Sequence, residues 1–320
     1  MERVIEKWQG KINEVIIGAT KENGGTRSRA VKIGGENSLP FLHFEGECPN
    51  KPVIAMDVWD MEPPAWPDVL KKAIGEEIKD PVSWAKKCQD TFGADLICLR
   101  LASAHPENKN TSPDECAKTV KAVLAAVSLP LIIIGSGNLE KDNELFLKAS
   151  EAAGGERALL GIATKDNYKT VAAACMAFGH GIIAEAPIDV NLGKQLNILI
   201  SDTGFPGDKI IQHQATGALG YGFEYTYSIM ERIRLAALTG DKLLQGPMIN
   251  MIAQEVYRTK EAKAPETEMP QWGELEKRAP LWEAITAVGF LQSGSDILVM
   301  AHPQAVSMVH KVIDELMQKC

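Results

Sequence analysis

The chain contains 320 residues, of which 45% are apolar and 24% are charged, so it can bury one large core or two modest ones. Its formal net charge is −8, and no basic block offsets the repulsion from phosphate, which argues against a nucleic-acid partner. The sequence shows no run of eighteen apolar residues and no signal-peptide pattern. We therefore expect a cytoplasmic protein without membrane contact.

The cysteines are widely and irregularly spaced, and no Cys-x-x-Cys pair occurs. They are Cys48, Cys88, Cys98, Cys116, Cys175 and Cys320. This spacing excludes the usual signatures of an iron–sulfur cluster or a structural zinc site in this chain. We expect them to be buried small hydrophobes in a reducing compartment.

The N-terminal 50 residues are predicted to form a hairpin extension. Residues 13–18 and 29–35 are strand-like, and the turn-like sequence Lys-Glu-Asn-Gly-Gly lies between them at positions 21–25. Residues 51–320 form the main fold, and we expect a single domain that includes the hairpin.

From residue 53 onward, apolar strand-like segments alternate with helical patterns. The predicted strands are 53–57, 95–101, 129–135, 158–163, 181–186, 209–213, 248–250 and 296–301. The predicted helices are 81–91, 113–127, 140–153, 168–178, 189–201, 224–239, 281–292 and 304–319. Strands that are apolar on both faces are typical of a parallel sheet covered on both sides. This α/β pattern predicts a (β/α)₈ TIM barrel entered through the hairpin.

A doubly wound open sheet is the alternative fold. It would carry a dinucleotide-binding fingerprint, Gly-x-Gly-x-x-Gly, after its first strand. Here Asp57 is followed by Val-Trp-Asp-Met-Glu-Pro-Pro, which fits no phosphate-binding loop. The barrel is therefore the preferred interpretation.

Residues 255–280 interrupt the alternation of strands and helices. They are rich in charge and proline, with Pro265, Pro270 and Pro280, and they include Trp272. We interpret them as an insertion after the seventh strand, on the ligand side of the barrel. A lid, a docking surface and a mobile surface loop all remain open for this segment.

A glycine-rich loop follows the sixth predicted strand. Gly217, Gly220 and Gly222 separate the strand at 209–213 from an amphipathic helix that Gly240 ends. Glycines at this density allow backbone amides to approach a flat or polar ligand, because no Cβ intervenes. A loop between a strand and a helix is a common ligand site in α/β proteins.

Polar residues follow the other predicted strands, where barrel enzymes place their chemistry. They are Asp57, Arg100, Ser103, Ser136, Asn138, Thr164, Asp166, Glu185, Asp189, His213, Gln214, Thr216, Asn250 and His302. The set suits a ligand with amide-like edges, although helix caps and loop salt bridges are alternative roles. It contains no catalytic triad and no paired histidines for a metal. Arg100 needs a carboxylate partner, for which Asp57 or Glu185 would serve.

Long stretches of the sequence resemble one protein family. They are Glu-Ala-Pro-Ile-Asp-Val-Asn-Leu-Gly-Lys-Gln-Leu-Asn-Ile at 185–198, Thr-Gly-Ala-Leu-Gly-Tyr-Gly-Phe-Glu-Tyr-Thr-Tyr-Ser-Ile-Met-Glu-Arg-Ile-Arg-Leu-Ala-Ala at 216–237, and shorter stretches at 17–20 and 34–41. They are similar to the small subunit of the corrinoid/iron–sulfur protein, which is the delta-type subunit of acetyl-CoA decarbonylase/synthase. The resemblance covers essentially the whole chain.

The resemblance implies a barrel subunit in a heterodimer that carries methyl groups in the reductive acetyl-CoA pathway. The large subunit would hold the [4Fe–4S] cluster and the corrinoid (cobalamin) domain, and this chain would cap the corrinoid. A methyltetrahydrofolate methyltransferase and acetyl-CoA synthase would be the other partners. This chain lacks the Asp-x-His-x-x-Gly motif that supplies a cobalt ligand, since no Asp lies two residues before His213.

We expect the cofactor-binding residues to come from the glycine-rich loop and three strand ends. They are His213, Gln214, Thr216, Gly217, Ala218, Leu219, Gly220, Tyr221 and Gly222, together with Asn138, Arg100 and Asn250. No catalytic or metal-ligating residue is assigned. One alternative is a methyltransferase that binds methyltetrahydrofolate in its own barrel through Asp57, Asn138 and Asn250. Another is a barrel lyase or aldolase, which would need a lysine at a strand end.

Overall fold

The computed structural model describes residues 4–318 and contains two sheets within that range. The strands are β1 Val15–Ile17, β2 Val31–Ile33, β3 Val53–Trp59, β4 Leu96–Arg100, β5 Leu131–Ile134, β6 Leu159–Ala163, β7 Gly181–Ala186, β8 Ile210–Gln214, β9 Ile249–Asn250 and β10 Ile297–Met300. Strands β3 to β10 are parallel, in the order β8-β7-β6-β5-β4-β3-β10-β9. A single bridge from Gln212 to Met248 links the two edge strands. The predicted barrel is therefore confirmed.

Helices cover the outside of this barrel. They are α1 Asp68–Ile74, α2 Pro81–Asp90, α3 Pro113–Ala126, α4 Leu139–Ala152, α5 Tyr168–Phe178, α6 Val190–Asp202, α7 Phe223–Leu238, α8 Ile252–Val256, α9 Leu275–Gln292 and α10 Pro303–Leu316. The sequence pattern missed α1 and α8, which are too short to show a helical period. It also placed the start of α9 six residues late, because the charged, proline-rich run up to Pro280 was assigned to the insertion. Residue 319, the predicted end of α10, lies outside the described range.

The interior of the barrel is apolar, and the reason is the alternation of side chains along each strand. Residues two apart face the same side, so one set points inward and the other toward the helices. The inward set includes Val53, Ala55, Leu96, Cys98, Ile132, Ile134, Leu159, Ile183, Ile211, Ile249, Ile297 and Val299. The next inward position on each strand, toward its C-terminal end, therefore lies on top of this apolar layer.

The predicted N-terminal hairpin is present, and it closes the lower end of the barrel. Its strands pair antiparallel, with Val15 opposite Ile33. Both residues belong to the same buried cluster as the barrel interior. The loop between the strands is fixed by Arg27, whose Nε lies 2.8 Å from Glu156 Oε2 and whose Nη1 donates to the Val127 carbonyl. The boundary at residue 50 stays a prediction.

A buried cluster of charges lies at the lower end of the barrel. Arg234 Nη1 lies 3.3 Å from Glu36 Oε2, and Arg234 Nη2 lies 3.2 Å from Asp296 Oδ2. Asp296 also accepts a hydrogen bond from the Met248 amide, at 2.8 Å. Burial raises the pKa of Glu36 to about 8, and the neighbouring charge of Asp296 adds to the rise. Glu36 therefore holds its proton at neutral pH, and Asp296 is the main counter-charge of Arg234.

The five cysteines in the described range are free thiols, as expected. Burial raises the pKa of Cys88, Cys98 and Cys175, which keeps these thiols protonated and unreactive. Cys48 is only partly buried, and Cys320 lies outside the described residues. Within residues 4–318, no helix is long and apolar enough to cross a membrane.

Candidate functional site

A cavity of about 1010 Å³ opens at the C-terminal ends of the strands. The segments that follow β3, β4, β5, β6, β8 and β9 contribute to its wall, and β7 contributes Glu185, as expected for a barrel of this type. Its volume is at the upper end of the range for small-molecule sites. No lysine occurs among the described residues that line it, so the cavity lacks the residue that a Schiff-base aldolase requires.

The floor of the cavity is a polar layer on top of the apolar barrel interior. Asp57, Arg100, Glu185 and His213 each lie two residues after an inward-facing apolar residue on the same strand. The alternation along the strand therefore points all four side chains inward. Arg100, Glu185 and His213 line the cavity directly, whereas the side chain of Asp57 lies fully buried beneath them.

Arg100 is paired with Asp57, one of the two carboxylates predicted for it. The Nε atom lies 3.4 Å from Asp57 Oδ1, and the guanidinium lies 5.5 Å from the centre of the Trp59 ring. Trp59 Nε1 donates to the other oxygen of Asp57 at 3.1 Å, which fixes the carboxylate. Burial opposes the charged form of Arg100, but Asp57 together with weaker contributions from neighbours such as Glu185 raises the pKa of the guanidinium.

Glu185 and His213 form the second pair of the floor. The distance from His213 Nδ1 to Glu185 Oε2 is 2.6 Å. Burial favours the neutral form of Glu185, yet the contact with His213 and the positive charges of His213 and Arg100 lower its pKa overall. On the other side of the ring, His213 Nε2 lies 3.2 Å from Thr216 Oγ1, which accepts a hydrogen bond from the Met251 amide. The floor is thus connected to the start of the glycine-rich loop.

The glycine-rich loop is held at both ends. The hydroxyl of Thr226, a fully buried residue on α7, accepts from the Gly217 amide and donates to the Ala215 carbonyl. A Cβ at Gly217 would lie 2.5 Å from the backbone of Gly222, so only glycine fits there. Gly222 has a φ of 90°, which favours glycine at the start of α7.

Exposed apolar side chains follow β7 and β8 at the C-terminal end of the barrel. Ile188 and Leu192 follow β7 and are 40% and 44% exposed, whereas Tyr221 and Tyr225 follow β8 and are 53% and 63% exposed. Strands β7 and β8 are neighbours and α6 contacts α7, so these segments lie together at the C-terminal end of the barrel, although none of the four residues lines the cavity itself. We call this set the apolar rim. Large exposed apolar side chains that are grouped on one face are typical of a binding surface.

The segment predicted to be an insertion packs against the barrel. The hydroxyl of Tyr257, which lines the cavity, donates to Glu283 Oε2 at 2.9 Å. Glu283 also accepts from the amides of Ala301 and His302 at the end of β10. Burial raises the pKa of Glu283 to about 7. These contacts fix the first residues of the insertion at the cavity wall.

Arg278 on α9 holds the rest of the insertion. Its guanidinium donates to the carbonyls of Glu261, Gly273 and Ala264. We expect Arg278→Ala to make residues 259–273 at least about tenfold more sensitive to a glutamate-specific protease, because hydrogen bonds from a charged donor are worth roughly 1.5–3 kcal/mol each. The matched control is Lys277→Ala, since Lys277 pairs only with Glu274 at the surface. Equal cleavage rates in the two variants would contradict this role.

The structure separates the predicted site residues into three groups. Arg100, His213 and Thr216 line the cavity, and residues 217–222 lie beside it on the β8 loop. Asn138 caps α4, accepting from the Lys141 amide at 3.0 Å. Gln214 and Asn250 occupy the outward-facing positions of their strands and are buried, and Asn250 contacts Met230 of α7. Neither Gln214 nor Asn250 is among the residues that line the cavity.

Other strand-end residues serve the loops. Ser136 donates to Asp142, Ser103 donates to Asp60, and the Thr164 amide donates to Asn167. Asp189 caps α6 and His302 caps α10, while Asp166 is exposed at the cavity wall. Burial lowers the pKa of His302 to about 4, so this cap is neutral at physiological pH.

Several residues that shape the site were not predicted. They are Trp59, Thr226, Tyr257 and Glu283. Alternation along β3 could have identified Trp59, because it lies two residues after Asp57. Thr226, Tyr257 and Glu283 lie on helices or in the insertion, and their role depends on contacts that no local pattern shows.

Comparison with known proteins identifies the family. The model of the CO dehydrogenase/acetyl-CoA synthase delta subunit matches residues 14–263. This chain belongs to that delta-subunit family. The acetyl-CoA decarbonylase/synthase complex subunit delta of Archaeoglobus fulgidus is 40% identical over 97% of this chain and 70% of its own length. The corresponding subunit of Methanopyrus kandleri is 38% identical over 95% of this chain and 75% of its own length.

The predicted family is therefore confirmed. The chain is a delta-type subunit, the small-subunit type of the corrinoid/iron–sulfur protein, as its motifs indicated. The names of these relatives describe a subunit of a complex, so they support the methyl-carrier interpretation rather than the alternative of a methyltransferase acting through its own barrel.

Solved structures support the fold of this delta-type subunit. Dihydropteroate synthase from Xanthomonas albilineans, solved with 4-aminobenzoic acid, matches with a TM-score of 0.55 and 12% identity over 84% of this chain and 94% of that chain. The same enzyme in complex with 7,8-dihydropteroate also gives a TM-score of 0.55, with 11% identity. At such low identity the likeness establishes the barrel and nothing about the ligand.

Proposed function

We propose that this delta-type subunit caps a corrinoid that another subunit of the complex holds. The observation that carries the proposal is the open cavity together with the apolar rim of Ile188, Leu192, Tyr221 and Tyr225. A corrin is a wide, flat ring with an apolar face and a polar edge. The apolar rim fits its face, and the polar floor of the cavity fits groups that project from its edge.

This chain provides surface for the cofactor rather than an attachment. Residues 4–318 contain no group of three metal-binding side chains, and the ring nitrogens of His213 lie 2.6 Å from Glu185 and 3.2 Å from Thr216. A bound corrinoid supplies a cobalt centre that accepts and donates a methyl group. The exposed rings of Tyr221 and Tyr225 would cover one face of it and exclude water, as closed active sites do.

The partners follow from the same proposal. A large subunit carries the [4Fe–4S] cluster and the corrinoid domain and forms a one-to-one heterodimer with this chain. A methyltetrahydrofolate methyltransferase delivers the methyl group, and acetyl-CoA synthase receives it. The heterodimer works in the cytoplasm, and neither nucleic acid nor membrane takes part.

A bulky side chain on the glycine-rich loop tests the capping role. Gly220 is exposed, and a Cβ there would meet no atom within 4 Å, so Gly220→Phe adds bulk beside the rim without a clash in the barrel. We expect the purified heterodimer to lose at least half of its cobalt per cluster, because the added ring holds the flat cofactor away from Tyr221. Cobalt and iron are measured together by elemental analysis.

The control is Gly93→Phe at the opposite face of the barrel. Gly93 has a φ of 78° against 80° for Gly220, and a Cβ there would also meet nothing within 4 Å, so both variants carry the same backbone strain. Cobalt content should stay at the wild-type level in this control. If Gly220→Phe also keeps its full cobalt content, the β8 loop does not cap the corrinoid.

A further inference from the structure

The floor of the cavity contains hydrogen-bonding groups without partners. Arg100 is only 9% exposed, and neither its Nε nor its Nη2 makes an aligned hydrogen bond to a described residue. Its one ionic contact is the 3.4 Å approach to Asp57. A buried donor left without a partner is costly, and Arg100 lies at the wall of a large cavity. The guanidinium is therefore arranged to receive an acceptor from a ligand.

A free hydrogen-bond acceptor lies on the same floor. Glu185 Oε2 contacts His213, whereas Oε1 has no hydrogen bond among the described residues, and the side chain is 32% exposed at the cavity wall. Arg100 is close enough to Glu185 for its charge to lower the pKa of that carboxyl. A donor of the ligand can thus reach Glu185 while its acceptor faces Arg100.

The charges of the floor select against an anion. Arg100 contributes a positive charge, with the carboxylate of Asp57 3.4 Å away and that of Glu185 near enough to feel its charge. Arg100 is already paired with Asp57, and Glu185 with His213, so a carboxylate or phosphate would find no uncompensated positive group and would be repelled by both carboxylates. A neutral group with an acceptor next to a donor avoids that repulsion and satisfies both sides.

We propose that the floor binds a primary carboxamide, whose carbonyl accepts from Arg100 and whose N–H donates to Glu185 Oε1. Corrinoids carry carboxamides around the edge of the ring, so the proposed function supplies such a group, and that choice of source rests on it. The inference that the floor binds an amide depends only on the positions of Arg100 and Glu185 in the cavity. The bound amide would fix the rotation of the ring over the cavity, which the apolar rim alone cannot do.

Three small probes test whether the floor of the cavity binds a carboxamide in the full-length chain. They share a pyridine ring and differ in the group attached to it. They are nicotinamide, nicotinate, which is the anion, and methyl nicotinate, which has the acceptor but no N–H donor. We expect nicotinamide to bind about tenfold more tightly than either of the others, because the free energy of one hydrogen bond to a charged group corresponds to about a tenfold change in the dissociation constant. Binding is measured by ligand-observed NMR. Equal affinities for the three probes, or a preference for nicotinate, would contradict the proposed carboxamide site.

Substitution of Glu185 makes the test specific. Glu185→Gln removes one of the two negative charges and is expected to reduce the preference for nicotinamide over nicotinate by about tenfold. Arg100→Lys keeps the charge but loses the planar pair of donors, and it is expected to weaken nicotinamide binding to a similar extent. The matched control is Glu255→Gln, because Glu255 lines the same cavity but pairs with Arg258 away from the floor. An unchanged preference in Glu185→Gln contradicts the proposal.

The heterodimer identifies the source of the amide. If a corrin carboxamide occupies the floor, Glu185→Gln should lower cobalt content by at least half, and nicotinamide should not bind to the cobalt-loaded complex. If nicotinamide binds equally well to that complex, the corrin source is wrong. If the wild-type chain shows no preference for nicotinamide while Gly220→Phe lowers cobalt content as expected, this inference alone is refuted and the capping role stays in place.

Discussion

Replacing Arg234 with Met is expected to lower the free energy of unfolding by about 3–5 kcal/mol. Arg234 is 3% exposed and is the positive partner of Asp296 and Glu36. Without it, the charge of Asp296 is left buried and unpaired, and the Gly294 carbonyl loses the donor that Arg234 provides. Urea unfolding followed by circular dichroism measures the change.

The control for this prediction is Arg29→Met. Arg29 also pairs with an aspartate at the lower end of the barrel, but its side chain is 52% exposed. Exposed pairs contribute about 0–1 kcal/mol, so the control should remain close to wild type. A loss of less than about 1 kcal/mol in Arg234→Met would show that water or a shifted side chain compensates Asp296.

Replacing Glu36 with Gln is expected to remove a large part of the pH dependence of stability. The pKa of Glu36 is raised from its ordinary value of 4.5 to about 8 in the folded chain, mainly by burial. The folded state therefore holds a proton that the unfolded chain has already released. This contribution to stability is complete below about pH 4.5 and is lost as the pH rises toward 8. Between these limits the loss is at most about 1.4 kcal/mol per pH unit.

The measured quantity is the difference in unfolding free energy between wild type and Glu36→Gln. Other groups also titrate: Glu283 acts in the same direction, and His302, whose pKa is lowered, costs stability as the pH falls from 6.5 toward 4. Because both chains contain these groups, the difference isolates Glu36. It should fall by about 2–3 kcal/mol from about pH 5.5 to about pH 7.5. Parallel curves over that range would show that Glu36 is ionised throughout.

The order of strands and helices could be predicted because each strand is covered on both faces. Such strands are continuous apolar runs, as in residues 131–134, and the helices between them repeat at the helical period. The predicted boundaries are wrong where the local composition indicates one structure and tertiary contacts stabilise another. Charge and proline content assigned residues up to Pro280 to the insertion, yet α9 begins at Leu275, and Arg278 on this helix binds the insertion that precedes it.

The site could be predicted only in part, because the sequence shows which residues end a strand but not which way they point. His213 and Gln214 are adjacent, and one lies in the cavity while the other is buried away from it. Side chains alternate between the two faces of a strand, but the sequence does not show which of the two sets faces the interior. That is known only from the closed barrel. Asn138 is a helix cap for the same reason that many strand-end amides are: the nearest unsatisfied N–H groups belong to the following helix.

The sequence by itself determined the alternation of strands and helices, the glycine-rich loop and the family, since all three are written in contiguous residues. The tertiary structure alone decided the pairings across the molecule. Arg100 and Glu185 line the same cavity because β4 and β7 belong to one barrel, and Arg234 pairs with Glu36 across 198 positions of the chain. Local patterns cannot encode such contacts, because the free energy of pairing buried charges depends on which groups the closed barrel brings together and how completely it excludes water.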